Sequence, residues 1–171
     1  MQPAVTVVIP CFNQGRFLRE ALLSVQSQTL TDWEAIVIDD GSTDDTREVA
    51  SGVSDFRVRY YHQENRGLAA ARNVGIRAAR SGVIALLDSD DIWEPQFLER
   101  MCRSLARHPG AAAAYCGFKY IDTDGREIGK PSLKVVPPGS FHQTLMEDGN
   151  WLIPSAVIFT PDLAGESGCF D

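Results

Sequence analysis

The stretch that most constrains this chain is Val83-Ile84-Ala85-Leu86-Leu87-Asp88-Ser89-Asp90-Asp91. Its uninterrupted apolar run predicts a strand buried on both faces, and such strands belong to parallel sheets covered by helices. The run then breaks into a cluster of carboxylates. In an extended chain Asp88 and Asp90 point the same way, so two negative charges meet at one strand end. They repel unless one takes a proton or a cation sits between them. Mg²⁺ and Mn²⁺ prefer oxygen ligands and commonly take one or two carboxylates together with substrate phosphate. Asp88 and Asp90 therefore read as a metal–phosphate site. Asp91 reads as a solvated turn residue ahead of the next helix, where Pro95 suits the first turn.

The same strand-then-polar pattern occurs earlier. Val5-Thr6-Val7-Val8-Ile9-Pro10 is a first strand, followed by the turn Cys11-Phe12-Asn13-Gln14-Gly15. Phe17, Leu18, Ala21, Leu22 and Val25 then recur at helical spacing. A second strand over Glu34 to Asp40 ends in acid, and Ser42 or Thr43 is placed to cap the helix behind it. A more polar third strand runs from about Arg57 to His62, and an alanine-rich helix from Leu68 to about Arg80. Phe97, Leu98, Met101 and Leu105 mark the helix after the fourth strand, stopped by His108-Pro109-Gly110. Four strand–helix units with short connections predict an α/β domain with a parallel sheet. Ligands of such sheets bind outside the carboxyl ends of the strands, where these polar residues gather.

Beyond Gly110 the rhythm changes. A strand is expected over Ala112 to Ile121, then a hairpin turn at Asp122-Thr123-Asp124-Gly125 and a short return strand around Glu127. Lys130 to Pro138 reads as an irregular loop, Ser140 to Glu147 as a short helix and Ser155 to Thr160 as a strand. Residues 1–171 are expected to make one domain, with a change of architecture near residue 110.

Several classes are excluded. A formal charge of −7 with no basic tract argues against a nucleic-acid binder. No apolar run approaches the ~20 residues that span a bilayer. The start lacks the pattern of a secretory signal, and the cysteines at 11, 102, 116 and 169 follow no zinc or redox spacing, so a cytoplasmic protein is expected. Only Gly15 follows the first strand, which disfavours a dinucleotide site, and a phosphate-binding loop with its lysine is absent. His62, His108 and His142 form no metal-ligand spacing. What remains is nucleotide recognition without glycine loops, plus a metal-bound diphosphate. Asp39 can accept a hydrogen bond from a base or a ribose, or serve as partner for the Gly41-Ser42-Thr43 turn. Arg66 and Arg72 can offset diphosphate charge, pair with Asp88 or Asp39, or lie on a solvated face.

The motifs Val8-Ile9-Pro10 with Asn13, Asp39-Asp40-Gly41-Ser42-Thr43-Asp44, Asn65 through Asn73, and Leu87-Asp88-Ser89-Asp90-Asp91 resemble glycosyltransferase family 2. Gly168-Cys169-Phe170-Asp171 is similar to that family's Gly-Gly-Phe-Asp element, with cysteine in place of the second glycine. The resemblance implies the Rossmann-like GT-A fold, a mainly parallel sheet flanked by helices. It implies metal-dependent transfer of a sugar from a nucleoside-diphosphate sugar, a UDP-sugar first, to an acceptor hydroxyl with inversion. Pro10 and Asn13 would line the nucleotide pocket, Asp39 would contact the base and Arg72 would lie near the nucleotide. Asp88, Ser89 and Asp90 would form the metal–diphosphate motif, with Asp90 and Asp88 holding Mn²⁺ or Mg²⁺. The acceptor would be a carbohydrate or lipid-linked, with a peripheral membrane contact left open and no nucleic acid as partner. By the resemblance 1–110 would be the nucleotide-binding half and 111–171 the start of an acceptor-side half. Since the family's general base follows the Gly-x-Phe-Asp element, either a base is expected beyond Asp171, with the catalytic domain cut short, or the base comes from elsewhere; the pair Glu147-Asp148 lies on the wrong side of that element. A non-catalytic nucleotide-sugar-binding module and a nucleotidyltransferase are the competing readings.

Overall fold

The computed structural model describes residues 2–137, 139–148, 151–164 and 170. In chain order the elements are β1 Val5–Cys11, α1 Gly15–Gln26, β2 Trp33–Asp39, α2 Thr46–Ser51, β3 Val58–His62, α3 Leu68–Ala78, β4 Ile84–Leu86 and α4 Phe97–Arg107. They continue with β5 Ala113–Tyr115, β6 Phe118–Ile121, β7 Glu127–Ser132, α5 Phe141–Asp148 and β8 Val157–Phe159. The main sheet has six strands in the order β3-β2-β1-β4-β8-β5. β3, β2, β1 and β4 run parallel, and β8 is antiparallel to both of its neighbours. This is the mainly parallel α/β architecture expected.

Alternation along the strands sorts the core into two layers. Val5, Val7 and Ile9 of β1 and Ala35 and Val37 of β2 pack with Leu18, Ala21, Leu22 and Val25 of α1 and Phe97, Leu98 and Met101 of α4. On the other face Val8, Ile84 and Leu86 meet Ile76 of α3, while Ile36 and Ile38 meet Ala71. The alanine-rich helix sits close to the sheet: a methyl group added at Gly75 would overlap Val8 Cγ1. All residues of β1 and β2 are buried, so these two strands form a rigid floor for whatever their ends carry.

Three expectations are corrected. The second helix begins at Thr46, a turn later than Ser42 or Thr43 as caps would require, because both of those residues are engaged by the β1–α1 loop. The single strand expected over Ala112 to Ile121 is two. β5 joins the main sheet, whereas β6 leaves it to pair with β7, and Gly117 between them approaches Ser132 O so closely that a Cβ would lie 2.7 Å from it. The loop expected from Lys130 is partly strand, since β7 runs on through Pro131 to Ser132. A two-stranded ribbon is all edge, and an edge tolerates proline. Pro138 of that loop lies outside the described residues. Among the described residues no helix is long and apolar enough to cross a membrane.

Candidate functional site

The carboxyl ends of β2, β1 and β4 lie side by side, and their loops are stitched to one another by side chains. Asn13 takes a left-handed conformation (φ 54°), which asparagine tolerates better than most residues. This turns its amide toward the β2 loop. Thr43 N donates to Asn13 Oδ1 at 2.8 Å, and Asn13 N donates to Ser42 Oγ at 3.0 Å. Two residues on, Gly15 N donates to Asp44 Oδ2 at 2.9 Å, so Asp44 of one loop caps the helix that starts from the other. Burial pushes the Asp44 carboxyl up, but hydrogen bonds from Thr46 and Gly15 outweigh this and hold it below its usual range.

Asp39 and Asp40 divide their work. Asp39 is 1% exposed. Its Oδ1 accepts Ser42 N at 2.8 Å, and its Oδ2 accepts Tyr60 Oη at 2.5 Å with His62 Nδ1 at 3.3 Å. Burial raises its pKa, yet the donors from Tyr60, Ser42 and His62 more than reverse this and keep it ionised. The turn-partner role is therefore observed directly. Asp40 points to α3 instead: Gln63 Nε2, Arg66 N and Gly67 N all donate to it, at 2.6, 2.9 and 2.8 Å. It fixes the entry to that helix, where Gly67 adopts a φ of 87° closed to most side chains.

At the end of β4, Asp88 N donates to Ser155 Oγ at 2.9 Å, and Arg72 Nη2 donates to Asp88 Oδ1 at 2.7 Å. Arg72 comes from α3 and is buried; its Nε is shielded from water and has no hydrogen-bond partner among the described residues. Its guanidinium lies 5.2 Å from the centre of the Phe170 ring. Neighbouring Asn73 holds the same residue by its backbone, donating Nδ2 to Phe170 O at 2.6 Å and accepting Phe170 N at 3.3 Å. The rest of the Gly168–Asp171 element lies outside the described residues. Ser89, 1% exposed, donates its hydroxyl to Gln14 Oε1, and Gln14 Nε2 donates to Asp90 Oδ2 at 3.3 Å. Asp90 is exposed.

Asp91 departs from the solvated-cap expectation. α4 starts only at Phe97, with Gln96 before it, and Asp91 is half-buried. Burial pushes its carboxyl up, aided by the charges of Asp90 and Asp88 and softened by a hydrogen bond from Ser155. Ser155 is in turn fixed through its carbonyl, which accepts Trp93 Nε1 at 2.6 Å.

Of the residues singled out from the sequence, Asn13, Ser89 and Asp90 are drawn together around the β1–α1 loop. Asp88 pairs with Arg72, and Asp39 sits one strand away beyond β1. Pro10 is buried within β1, in register with Ile38. Gln14, Asp40, Tyr60, His62 and Ser155 were not foreseen. Only Gln14 left a local signal, since it occupies a helix N-cap position that glutamine does not favour. A groove of ≈ 210 Å³ lined by Ser104, Leu105, His108 and Ala111 shares none of these residues.

Asp88 and Asp90 offer oxygen donors alone, the set that suits a hard divalent cation. One oxygen of each is already engaged, by Arg72 and by Gln14. Among the described residues no group of three His, Cys, Asp or Glu is placed to hold a metal ion. Two carboxylates alone would leave most of a cation's coordination to other oxygen ligands, such as those of a phosphate.

Comparison with known proteins is consistent with this geometry. The model of the family described as "Glycosyl transferase family 2" matches residues 6–159. The glycosyltransferase GlyG of Streptococcus pneumoniae is 35% identical over 128 residues, covering 73% of this chain and 42% of GlyG. The mannosyltransferase PcManGT of Pyrobaculum calidifontis, solved with GDP-Man and Mn²⁺, matches with a TM-score of 0.70 and 25% identity over 98% of this chain and 47% of that one. S. aureus TarS 1–349 with UDP-GlcNAc matches with a TM-score of 0.73 at 20% identity, over 95% and 47%, a likeness of fold. The chain spans about two fifths (36%, 39% and 42%) of the length of the first curated relatives it matches. With these structures the sheet is identified as that of the GT-A fold.

Proposed function

This chain belongs to glycosyl transferase family 2, and from that premise we propose that it binds a nucleoside-diphosphate sugar along the ends of β2, β1 and β4 and transfers the sugar to an acceptor hydroxyl with inversion. One observation carries the reading. An ionised buried carboxylate at the end of β2, a buried arginine of α3 paired with Asp88, and an exposed carboxylate in the loop after β4 are held at one edge of the sheet by side-chain bonds between the loops.

Asp39 is the acceptor for the base. A carboxylate has about four lone-pair directions, and three are filled by Ser42, Tyr60 and His62. The remaining capacity suits the single ring N–H of uracil, which makes a UDP-sugar the first donor to test. His62, the longest and most exposed of the three contacts, borders the side from which the base approaches. Arg72 would offset diphosphate charge through its guanidinium, whose terminal nitrogen Asp88 fixes. Asp90, with Asp88 beside it, would hold Mn²⁺ or Mg²⁺. When bound, such a cation supplies neutralising charge for a departing nucleoside diphosphate. The solved complex of PcManGT with GDP-Man and Mn²⁺ supports both the ligand class and the metal.

In the reaction the acceptor oxygen forms a bond to the anomeric carbon as the bond to the diphosphate oxygen breaks. The electron pair leaves with the diphosphate, and the hydroxyl proton passes to a base. No described residue is assigned as that base. The acceptor, a carbohydrate or lipid-linked hydroxyl, would approach from the side of β8 and β5, the strands beyond β4.

The test is release of nucleoside diphosphate from UDP-Glc, UDP-GlcNAc and GDP-Man with Mn²⁺ present, alone and with sugar acceptors. Release from at least one donor, lost in Asp90→Asn, is expected. Pyrophosphate release from a nucleoside triphosphate instead would place the chain among nucleotidyltransferases. Failure to bind any nucleoside diphosphate would end the reading.

A further inference from the structure

Gln14 stands where a helix usually has a short capping side chain. Serine, threonine, aspartate or asparagine at that position can bond the first-turn amides, whereas glutamine is not among the favoured residues. Gln14 makes no side-chain cap bond to α1. The buried amide at the helix start is served from outside, by Asp44 on Gly15 N. The glutamine amide is thereby released for another purpose, and it crosses to the loop after β4. There it touches two consecutive residues: its Oε1 accepts the hydroxyl of buried Ser89, and its Nε2 donates to Asp90 Oδ2 at 3.3 Å. The Asp90 contact fixes which end of the amide is which, because a carboxylate oxygen takes a donor, and the Ser89 hydroxyl, able to donate or accept, then donates to the amide oxygen. A local preference is broken at the point where a remote contact is gained, which is where functional constraint is expected.

We propose that Gln14 is a positioning residue for Asp90. By being a neutral amide, it also keeps the Asp88–Asp90 pair a weak cation site until a diphosphate completes it. The proposal rests on the donor-site reading above. Its physical content is twofold. The Nε2–H pins one oxygen of the exposed Asp90 and leaves the other to a ligand. At the same time Arg72 on Asp88 and the amide on Asp90 each draw on carboxylate charge that a bare cation would otherwise use. Glutamate at position 14 could still accept from Ser89, but it would set a third carboxylate against Asp90. Three carboxylates around one point relieve their repulsion by binding a cation.

Three variants separate positioning from folding. Binding of Mn²⁺ alone is read by the loss of its free-ion electron paramagnetic resonance signal, and binding of UDP with Mn²⁺ by calorimetry. Gln14→Glu should bind Mn²⁺ without nucleotide at least about tenfold more tightly than the unmodified chain, the scale on which groups behind a ligand change metal affinity. Gln14→Asn keeps an amide but shortens it and supplies a better cap. It should unfold at an equal or higher temperature yet bind UDP with Mn²⁺ several-fold more weakly. Gln14→Ala should weaken that binding similarly. The proposal is overturned if Gln14→Glu leaves affinity for Mn²⁺ alone unchanged, or if Gln14→Asn and Gln14→Ala bind UDP with Mn²⁺ as the unmodified chain does. If the unmodified chain binds no nucleoside diphosphate, the donor-site reading fails, and the Mn²⁺-alone comparison of Gln14→Glu still decides whether Gln14 governs the carboxylate pair.

Discussion

The first four strands and the ribbon β6–β7 make the sharpest contrast in the molecule. β1 and β2 are buried along their whole length, while β6 and β7 are mostly exposed. In the first region each polar residue at a strand end is fixed by a partner far away in sequence, such as Gln14 with Asp90 or Arg72 with Asp88. In the ribbon the polar contacts are short-range and on the surface, such as Lys119 with Glu127 and Arg126 with Asp124. Burial is what makes a strand end precise. A strand packed on both faces cannot shift without disturbing two layers, so the loops leaving it start from fixed points.

The largest effect should come from Asp40→Ala. The buried carboxylate accepts Gln63 Nε2 and the backbone amides of Arg66 and Gly67. Removing a charged acceptor from buried or partly buried donors costs about 2–3 kcal/mol. A fall in the unfolding midpoint in denaturant, with faster amide exchange in the first turn of α3, checks this; unchanged exchange there would detach Asp40 from the helix entry.

A smaller effect separates pH ranges. Hydrogen bonds from Arg57 lower the Asp55 pKa from 3.8 to about 2, against the opposing effect of burial. The folded pKa is depressed, so this stability is fully present above the ordinary carboxylate range. It is lost as pH falls through about 2. Unfolding measured from pH 5 downward should therefore show a loss that Asp55→Asn lacks, about 1 kcal/mol after screening by nearby water.

The smallest effect belongs to the ribbon. Lys119 and Glu127 form an exposed pair, and exposed pairs contribute little. Lys119→Ala should leave the unfolding temperature within error, and a clear loss would show that the ribbon is part of the cooperative core.

The same contrast explains what was legible in the sequence. Val5 to Pro10, Glu34 to Asp39 and Val83 to Leu87 announce themselves, because strands buried on both faces are mostly apolar. Once their order is known, the polar residues behind them fall on one edge. The partners of those residues were not legible. Ser155 reaches Asp88 across 67 residues and Gln14 reaches Asp90 across 76, and no local pattern encodes such distances. The burial of Asp91 has no local signature, because Ser155, which bonds it, comes from far along the chain. The break between β5 and β6 depends on the approach of Gly117 to Ser132, which a run of strand-forming residues conceals.

The central claim is that the ends of β2, β1 and β4 hold a nucleoside diphosphate through Asp90 and a divalent cation. Calorimetric titration of UDP into the chain, with Mn²⁺ and with a chelator, tests it most directly when repeated on Asp90→Asn. The account predicts binding that requires Mn²⁺ and weakens at least about tenfold in the variant. It also predicts an unfolding temperature unchanged by the substitution, since Asp90 is exposed. Equal affinity with and without Mn²⁺, or an Asp90→Asn variant that binds as the unmodified chain does, would contradict it.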